Sequence, residues 1–185
     1  MSYVLVAYAS KYGATAEIAE RIAERIRNSG VMVDSLPVKH VSDITPYDTV
    51  VFGSAVYAGN WLKDAVRFLE RFKGPLAARK LWIFSSGPTG EGDAVDTLRG
   101  WRFPEAQRPL ITQLQPKDIV VFHGKIDPAK LHLGEALIIR ALKADTGDFR
   151  RWDTIDAWGR HIATTLSEAA SGEMDIGRQK TLRLP

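Results

Sequence analysis

The chain has 185 residues, 45% of them hydrophobic and 25% charged, with a formal net charge of +3 and no cysteine. That length and composition fit one globular domain, with or without an insertion. The missing thiol excludes disulfides, thiolate nucleophiles, iron–sulfur ligation and cysteine-based zinc sites. No run reaches the roughly 18 apolar residues of a membrane-spanning helix. Met1-Ser2-Tyr3 leads straight into an apolar run, without the basic stretch and cleavage site of a secretory leader, so a cytoplasmic protein is expected. The cations are spread along helical segments rather than gathered in one run, which argues against a nucleic-acid partner.

Tyr3 to Ala9 reads YVLVAYA, apolar without alternation, as a strand buried on both faces does. A polar corner follows, Ser10-Lys11-Tyr12-Gly13-Ala14-Thr15. From Ala16 the period becomes helical, with Ile18, Ile22 and Ile26 four residues apart, until Asn28-Ser29-Gly30 stops it. Val31 to Val38 and Thr49 to Gly53 read as the second and third strands. The loop Ser54 to Asn60 and a helix from Trp61 to Lys73 come next. Lys80 to Ser85 is the fourth strand, followed by the glycine-rich loop Ser86 to Gly92. Prolines break up 93–116, where Glu105 to Leu114 has room for a short helix. Ile119 to Phe122 is the fifth strand. Residues 124–151 are not needed to complete five β–α units and read as an inserted segment, with an apolar helix over Leu131 to Leu142. Asp153 is a candidate N-cap for a last helix that turns Ile155, Trp158, Ile162 and Leu166 to the core.

Strands alternating with helices imply parallel pairing and right-handed crossovers. The expected fold class is therefore α/β: a five-stranded parallel sheet in the order 2-1-3-4-5, with helices on both faces and the insertion before the last helix. The domain is expected over 1–170, with 171–185 a mobile tail.

In such a sheet a ligand sits beyond the carboxyl ends of the strands, at the point where strand order reverses. The loops there are the ones with unusual composition. Ser10 to Thr15 joins a strand to a helix N-terminus, whose free N–H groups and dipole suit an anion; Gly13 permits close approach, Ser10 and Thr15 bring hydroxyls, and Lys11 a charge. The same residues also fit an ordinary strand–helix turn. Neither the Walker pattern nor G-x-G-x-x-G is present. In the second loop, Ser54, Ala55, Val56, Ala58 and Gly59 are small or compact around Tyr57, whose ring either lies on a flat ligand or packs into the core. The third loop, Ser86, Gly87, Pro88, Thr89 and Gly90, is either ligand-permissive or a surface turn. All three at one edge favour a ligand site.

The run YVLVAYASKYGATAEIAERIA resembles the start of flavodoxin-like proteins, in which such a loop holds the FMN phosphate. GSAVYAGNW and FSSGPTG resemble that family's two isoalloxazine loops. The segment HGKIDPAKLHLGEALIIRALKADTGDFRRWDTIDAW resembles the menaquinone-dependent protoporphyrinogen dehydrogenase branch. The resemblance spans roughly residues 3 to 166. It implies FMN as cofactor, held by Ser10–Thr15, Ser54–Gly59 and Ser86–Gly90, and an oxidoreductase that moves electrons from a porphyrinogen to a quinone in haem biosynthesis. A phosphate loop with Lys11 and Tyr12 at its centre departs from the Thr-rich form usual in flavodoxins. A basic chain likewise departs from acidic electron carriers and shifts weight from carrier to dehydrogenase.

Two alternatives stay open: a flavodoxin that docks on redox partner proteins, and a module without flavin. No residue is singled out as a catalytic acid or base. His132 with Glu135 lacks a third ligand, so no metal is expected. No G-x-S-x-G elbow is present, so a hydrolase is not expected. Leu131 to Leu142, with Lys130, Arg140 and Lys143 around it, suits an apolar anionic substrate, the inner membrane surface where quinone resides, or plain core.

Overall fold

The computed structural model describes residues 2–132, 134, 137, 140, 141 and 145–181, with side chains through 169. The apolar run at the start forms β1 (Tyr3–Ala9), and Val4 through Ala7 are fully buried. It is followed by α1 (Ala14–Arg27), β2 (Met32–Pro37), β3 (Thr49–Tyr57), β4 (Asn60–Trp61), α2 (Lys63–Ala77), β5 (Lys80–Ser86) and α3 (Ala94–Thr97). Then come α4 (Arg108–Leu114), β6 (Asp118–Phe122), β7 (Lys125–Ile126), β8 (Gly147–Asp148) and α5 (Trp152–Thr181). The main sheet runs β2-β1-β3-β5-β6, all parallel. With the short antiparallel return β4 set aside, this is the order 2-1-3-4-5.

Alternate side chains of β1 enter opposite layers, as the strand period requires. Leu5, Ala7 and Ala9 face α2 and α4, with Phe68, Leu69 and Leu114. Val4 and Val6 face α1 and α5, with Ile18, Ile22, Ile155 and Ile162. The two helices of the second layer approach closely: a methyl group on Gly159 would stand 2.9 Å from Arg25 Cβ. Asp156 of α5 also binds Arg21 and Arg25 of α1. Within the sheet, a side-chain carbon on Gly53 would lie 2.0 Å from Phe84 Cζ. Glycine there leaves room over β3 for the Phe84 ring, which also lies beside Phe122 and Trp158.

Several expectations change. β3 does not stop at Gly53 but continues to Tyr57, and α2 begins at Lys63 rather than Trp61. A 3-10 turn at Glu105–Gln107 precedes α4 where one short helix was expected. Asp153 lies inside the first turn of α5 rather than capping it, where its charge still suits the helix N-terminus. α5 runs through Thr181, beyond residue 170 where the domain was expected to end. Residues 182–185 of the expected tail, and most of the expected helix over 131–142, lie outside the described residues.

The insertion leaves and rejoins the sheet at one place. β7 and β8 pair antiparallel, Lys125 with Asp148 and Ile126 with Gly147. Phe149 N donates to Gly124 O at 3.1 Å just below them. Among the described residues no helix is long and apolar enough to cross a membrane.

Candidate functional site

Beyond the carboxyl ends of β1, β3, β5 and β6 lies a cleft of about 630 Å³. One end is the loop before α1. Gly13 takes φ +93°, in the left-handed region that favours glycine, and caps the helix with its backbone. Gly13 N donates to Ser10 Oγ at 3.2 Å, which closes the turn. Ser10, Lys11, Tyr12, Ala14 and Thr15 line the cleft, while Gly13 shapes the turn. Thr15 is only 2% exposed, and no hydrogen bond to another described residue engages its hydroxyl. The first N–H groups of a 14-residue helix and this hydroxyl make the donor set of an anion site.

The second wall is a hairpin. Ala58 (φ +47°) and Gly59 (φ +74°) form a two-residue turn between β3 and β4. Ala55, Val56, Tyr57 and Ala58 line the cleft, and Tyr57 is 37% exposed. Lys11 Nζ lies 5.3 Å from the Tyr12 ring centre and 5.5 Å from that of Tyr57, between two aromatic faces. Ser54 and Gly59 are not on the wall. Ser54 is fully buried; its Oγ donates to Ala55 O and accepts from Leu62 N, so it ties the hairpin to α2. Gly59 serves the turn. Trp61 is buried: its indole N–H donates to Ser85 Oγ, which donates to Arg102 O.

The third wall is Ser86, Gly87, Pro88 and Thr89. A side chain on Gly87 would meet Val56 Cβ at 2.9 Å, and one on Gly124 would meet Gly87 O at 3.2 Å. The second and third loops and the start of the insertion thus touch through backbone. Gly90 (φ +118°) is not on the wall; a carbon there would stand 3.2 Å from Asp145 Oδ2. His123 supports this loop from behind, with Nδ1 3.2 Å from Pro88 O and Nε2 3.1 Å from Gly92 O. Asp93 caps α3, and the N–H groups of Asp96 and Val95 hold its carboxyl below the usual carboxylate range. A smaller cavity of about 250 Å³ lies behind the loop, between Asp93, Arg102, His123 and Trp158.

A fourth wall is Gly124, Lys125, Ile126, Asp127, Lys130, Leu131 and Asp145; of these the sequence offers only Lys130 and Leu131, as part of a segment suited to a substrate, to the membrane surface or to plain core. Its signal was available, because this stretch follows the fifth strand at the same edge as the other loops. Glu17, Leu62, Thr97 and Leu98 were missed as well; Glu17 and Leu62 fall in helical periods, and Thr97 and Leu98 close a short helix in the stretch that prolines break up.

A parallel sheet in this order, with a ligand cleft at the switch point and a glycine-hinged anion loop, defines a flavodoxin-like α/β fold. A family model described as a flavodoxin domain matches residues 5–153, and the chain belongs to that family. A relative from Bradyrhizobium diazoefficiens named NAD(P)H dehydrogenase (quinone) is 27% identical over 125 residues, covering 53% of this chain and 63% of that protein. The chain therefore matches less than two thirds of that relative's length. A flavodoxin from Clostridium beijerinckii is 26% identical over 133 residues, covering 65% of this chain and 96% of that protein. A solved flavodoxin from the domain Archaea superposes with a TM-score of 0.59 at 14% identity, over 89% of this chain and 99% of that one; this likeness concerns fold alone.

FMN is the cofactor of this family. The residues present fit it: an anion-binding helix N-terminus at one end, and at the other a slot between compact loops beside an aromatic ring. Most of the chain's relation to the family falls on the sheet and these loops, since the match ends at residue 153, just inside α5.

Proposed function

We propose that the cleft holds FMN with its phosphate on Ser10–Thr15 and its ring system between 55–58 and 86–89, and that the protein is a quinone oxidoreductase. The observation that carries this reading is the continuity of the anion end with the slot in one cleft. Bound there, FMN supplies two-electron and one-electron redox chemistry. The protein's part is to bind, orient and exclude water. Gly13 lets the phosphate approach backbone N–H groups, and the Thr15 hydroxyl is placed to donate to it. Tyr57 covers a ring face. Gly87 and Gly124 bring backbone rather than side chains against the slot. The fourth wall leaves room for a second, apolar reactant beside the ring, with Lys125 and Lys130 next to it.

The quinone follows the name of the Bradyrhizobium relative. A porphyrinogen as electron donor is the finer form of the proposal; it rests on the likeness of residues 123–158 to the protoporphyrinogen dehydrogenase branch. The protein is placed in the cytoplasm, with the insertion free to meet the inner membrane face. The Clostridium flavodoxin, matched over nearly its whole length, favours a carrier that docks on redox proteins as second reading.

The test is the purified protein loaded with FMN, supplied with a soluble quinone and either a reduced nicotinamide or protoporphyrinogen. Quinone reduction without any partner protein supports the enzyme, and the donor that works names the branch. No turnover with either donor, combined with reduction by a flavodoxin reductase, turns the reading to carrier.

A further inference from the structure

The anion end of the cleft already carries an anion. Glu17, in the first turn of α1, lines the cleft, and its Oε1 lies 4.0 Å from where a side-chain carbon would stand on Gly13. A carboxylate there competes with any phosphate for the same N–H groups and the same helix dipole. Its other oxygen, Oε2, is drawn away by Arg150 Nη1 at 2.6 Å.

Arg150 stands on the return side of the insertion, and its side chain is only 3% exposed, against 55% for Glu17. The rest of the guanidinium is committed. Nε and Nη2 donate to the two oxygens of Asp148 at 2.8 and 2.6 Å, and Nη1 also reaches Ala14 O at 3.4 Å. Its plane lies 4.6 Å from the Trp152 ring centre. These bonds lift the Arg150 pKa further and hold the Asp148 carboxyl below the usual range, so the charges are fixed. A cation at a helix N-terminus is opposed by the helix dipole, so helix stability does not account for its place. What it does there is bind one oxygen of Glu17 with the nitrogen that Asp148 leaves over.

We propose that Arg150 is a positioning residue for the cofactor phosphate. It holds the Glu17 carboxylate toward β8 and away from the loop, so the anion end receives a phosphoryl group instead of the chain's own carboxylate. Because Arg150 is anchored on Asp148, the seating of the insertion and the affinity for the phosphate become linked. This inference rests on the reading that Ser10–Thr15 binds the FMN phosphate.

The experiment compares dissociation constants of the full-length apoprotein for FMN and for riboflavin, which lacks the phosphate, by quenching of flavin fluorescence. Arg150→Gln is expected to reduce the preference for FMN about fivefold, the upper scale of one partly screened charge contact, with riboflavin affinity little changed. The double variant Arg150→Gln/Glu17→Gln is expected to regain the preference. An unchanged preference in Arg150→Gln, or a double variant as impaired as the single one, overturns the proposal. Where Arg150→Gln does not fold, Glu17→Gln alone decides. A preference no lower than wild type is expected, and a loss of about fivefold would show Glu17 assisting the phosphate and overturn it. A wild-type protein that binds riboflavin as tightly as FMN removes the phosphate-site reading itself, and Arg150's role with it.

Discussion

Removing one carboxylate tests whether α1, which carries the anion loop, is locked to α5. Asp156 Oδ1 accepts from Arg21 Nε at 2.6 Å and Arg25 Nε at 2.8 Å, and Oδ2 accepts from Arg21 Nη2 at 2.9 Å. These donors, Arg21 first and Arg25 second, bring the Asp156 pKa from 3.8 to about 2. At about 1.36 kcal/mol per pKa unit the drop corresponds to an upper limit of roughly 2.5 kcal/mol. The Arg21 and Arg25 side chains are 35% and 22% exposed, and solvent screening reduces the contribution to about 1 kcal/mol. The folded-state pKa is depressed, so this stability is complete above 3.8 and is lost as pH falls toward about 2. Asp156→Asn is therefore expected to lower Tm by about 2–4 °C near neutral pH, the shift for about 1 kcal/mol in a chain of this size. The loss should shrink steadily as the buffer is acidified through the carboxylate range. Thermal denaturation followed by circular dichroism at low salt across a pH series reads both. Equal Tm values at neutral pH, or a difference that persists undiminished in acid, would refute the reasoning.

Thr15→Val removes a buried hydroxyl from the anion end and is expected to weaken FMN by about 1.5–3 kcal/mol, the range for a hydrogen bond to a charged group, while sparing riboflavin; titration of the apoprotein with both checks it, and equal weakening contradicts it. Tyr57→Ala is expected to shift the flavin midpoint potential and relieve quenching of its fluorescence; unchanged values would make Tyr57 a packing residue. Gly53→Ala places a carbon inside the Phe84 ring and is expected to destabilise by roughly 1–3 kcal/mol or more, as overpacked cores do; an unchanged urea midpoint would show that the ring moves aside at no cost. Replacing 127–146 by a short turn should leave FMN bound and abolish quinone turnover, and surviving turnover would remove the insertion from the reaction.

The sheet was legible because its central strands are short, β-branched and bounded by turn residues. YVLVAYA and TVVFG lack polar alternation, as strands covered on both faces do. The Ser54–Trp61 hairpin was not legible. Its turn is Ala58-Gly59, and alanine at φ +47° lacks the Asn-Gly or Asp-Gly signature that marks such turns in a sequence. Trp61 was drawn into the helix because it precedes a helical period, whereas its pairing with Val56 places it on β4. Ser54 was counted among the small residues lining the second loop; its partner Leu62 N comes from the chain beyond the turn, which no local pattern reveals. Arg150 gave no signal, since its partners Glu17 and Asp148 lie on separate elements.

The pinched entry of the insertion has an evolutionary consequence. Gly124, Phe149 and the two β7–β8 pairs close it into a neck. The segment between has its ends fixed independently of its length. Loop-closure entropy rises slowly, by about 0.6 kcal/mol per doubling. Residues can therefore be added, lost or exchanged beyond the neck while the sheet and the three loops after β1, β3 and β5 stay undisturbed. One wall of the cleft is in this sense a detachable part: under the proposed function, new substrates can be tried by replacing it on a scaffold that need not change.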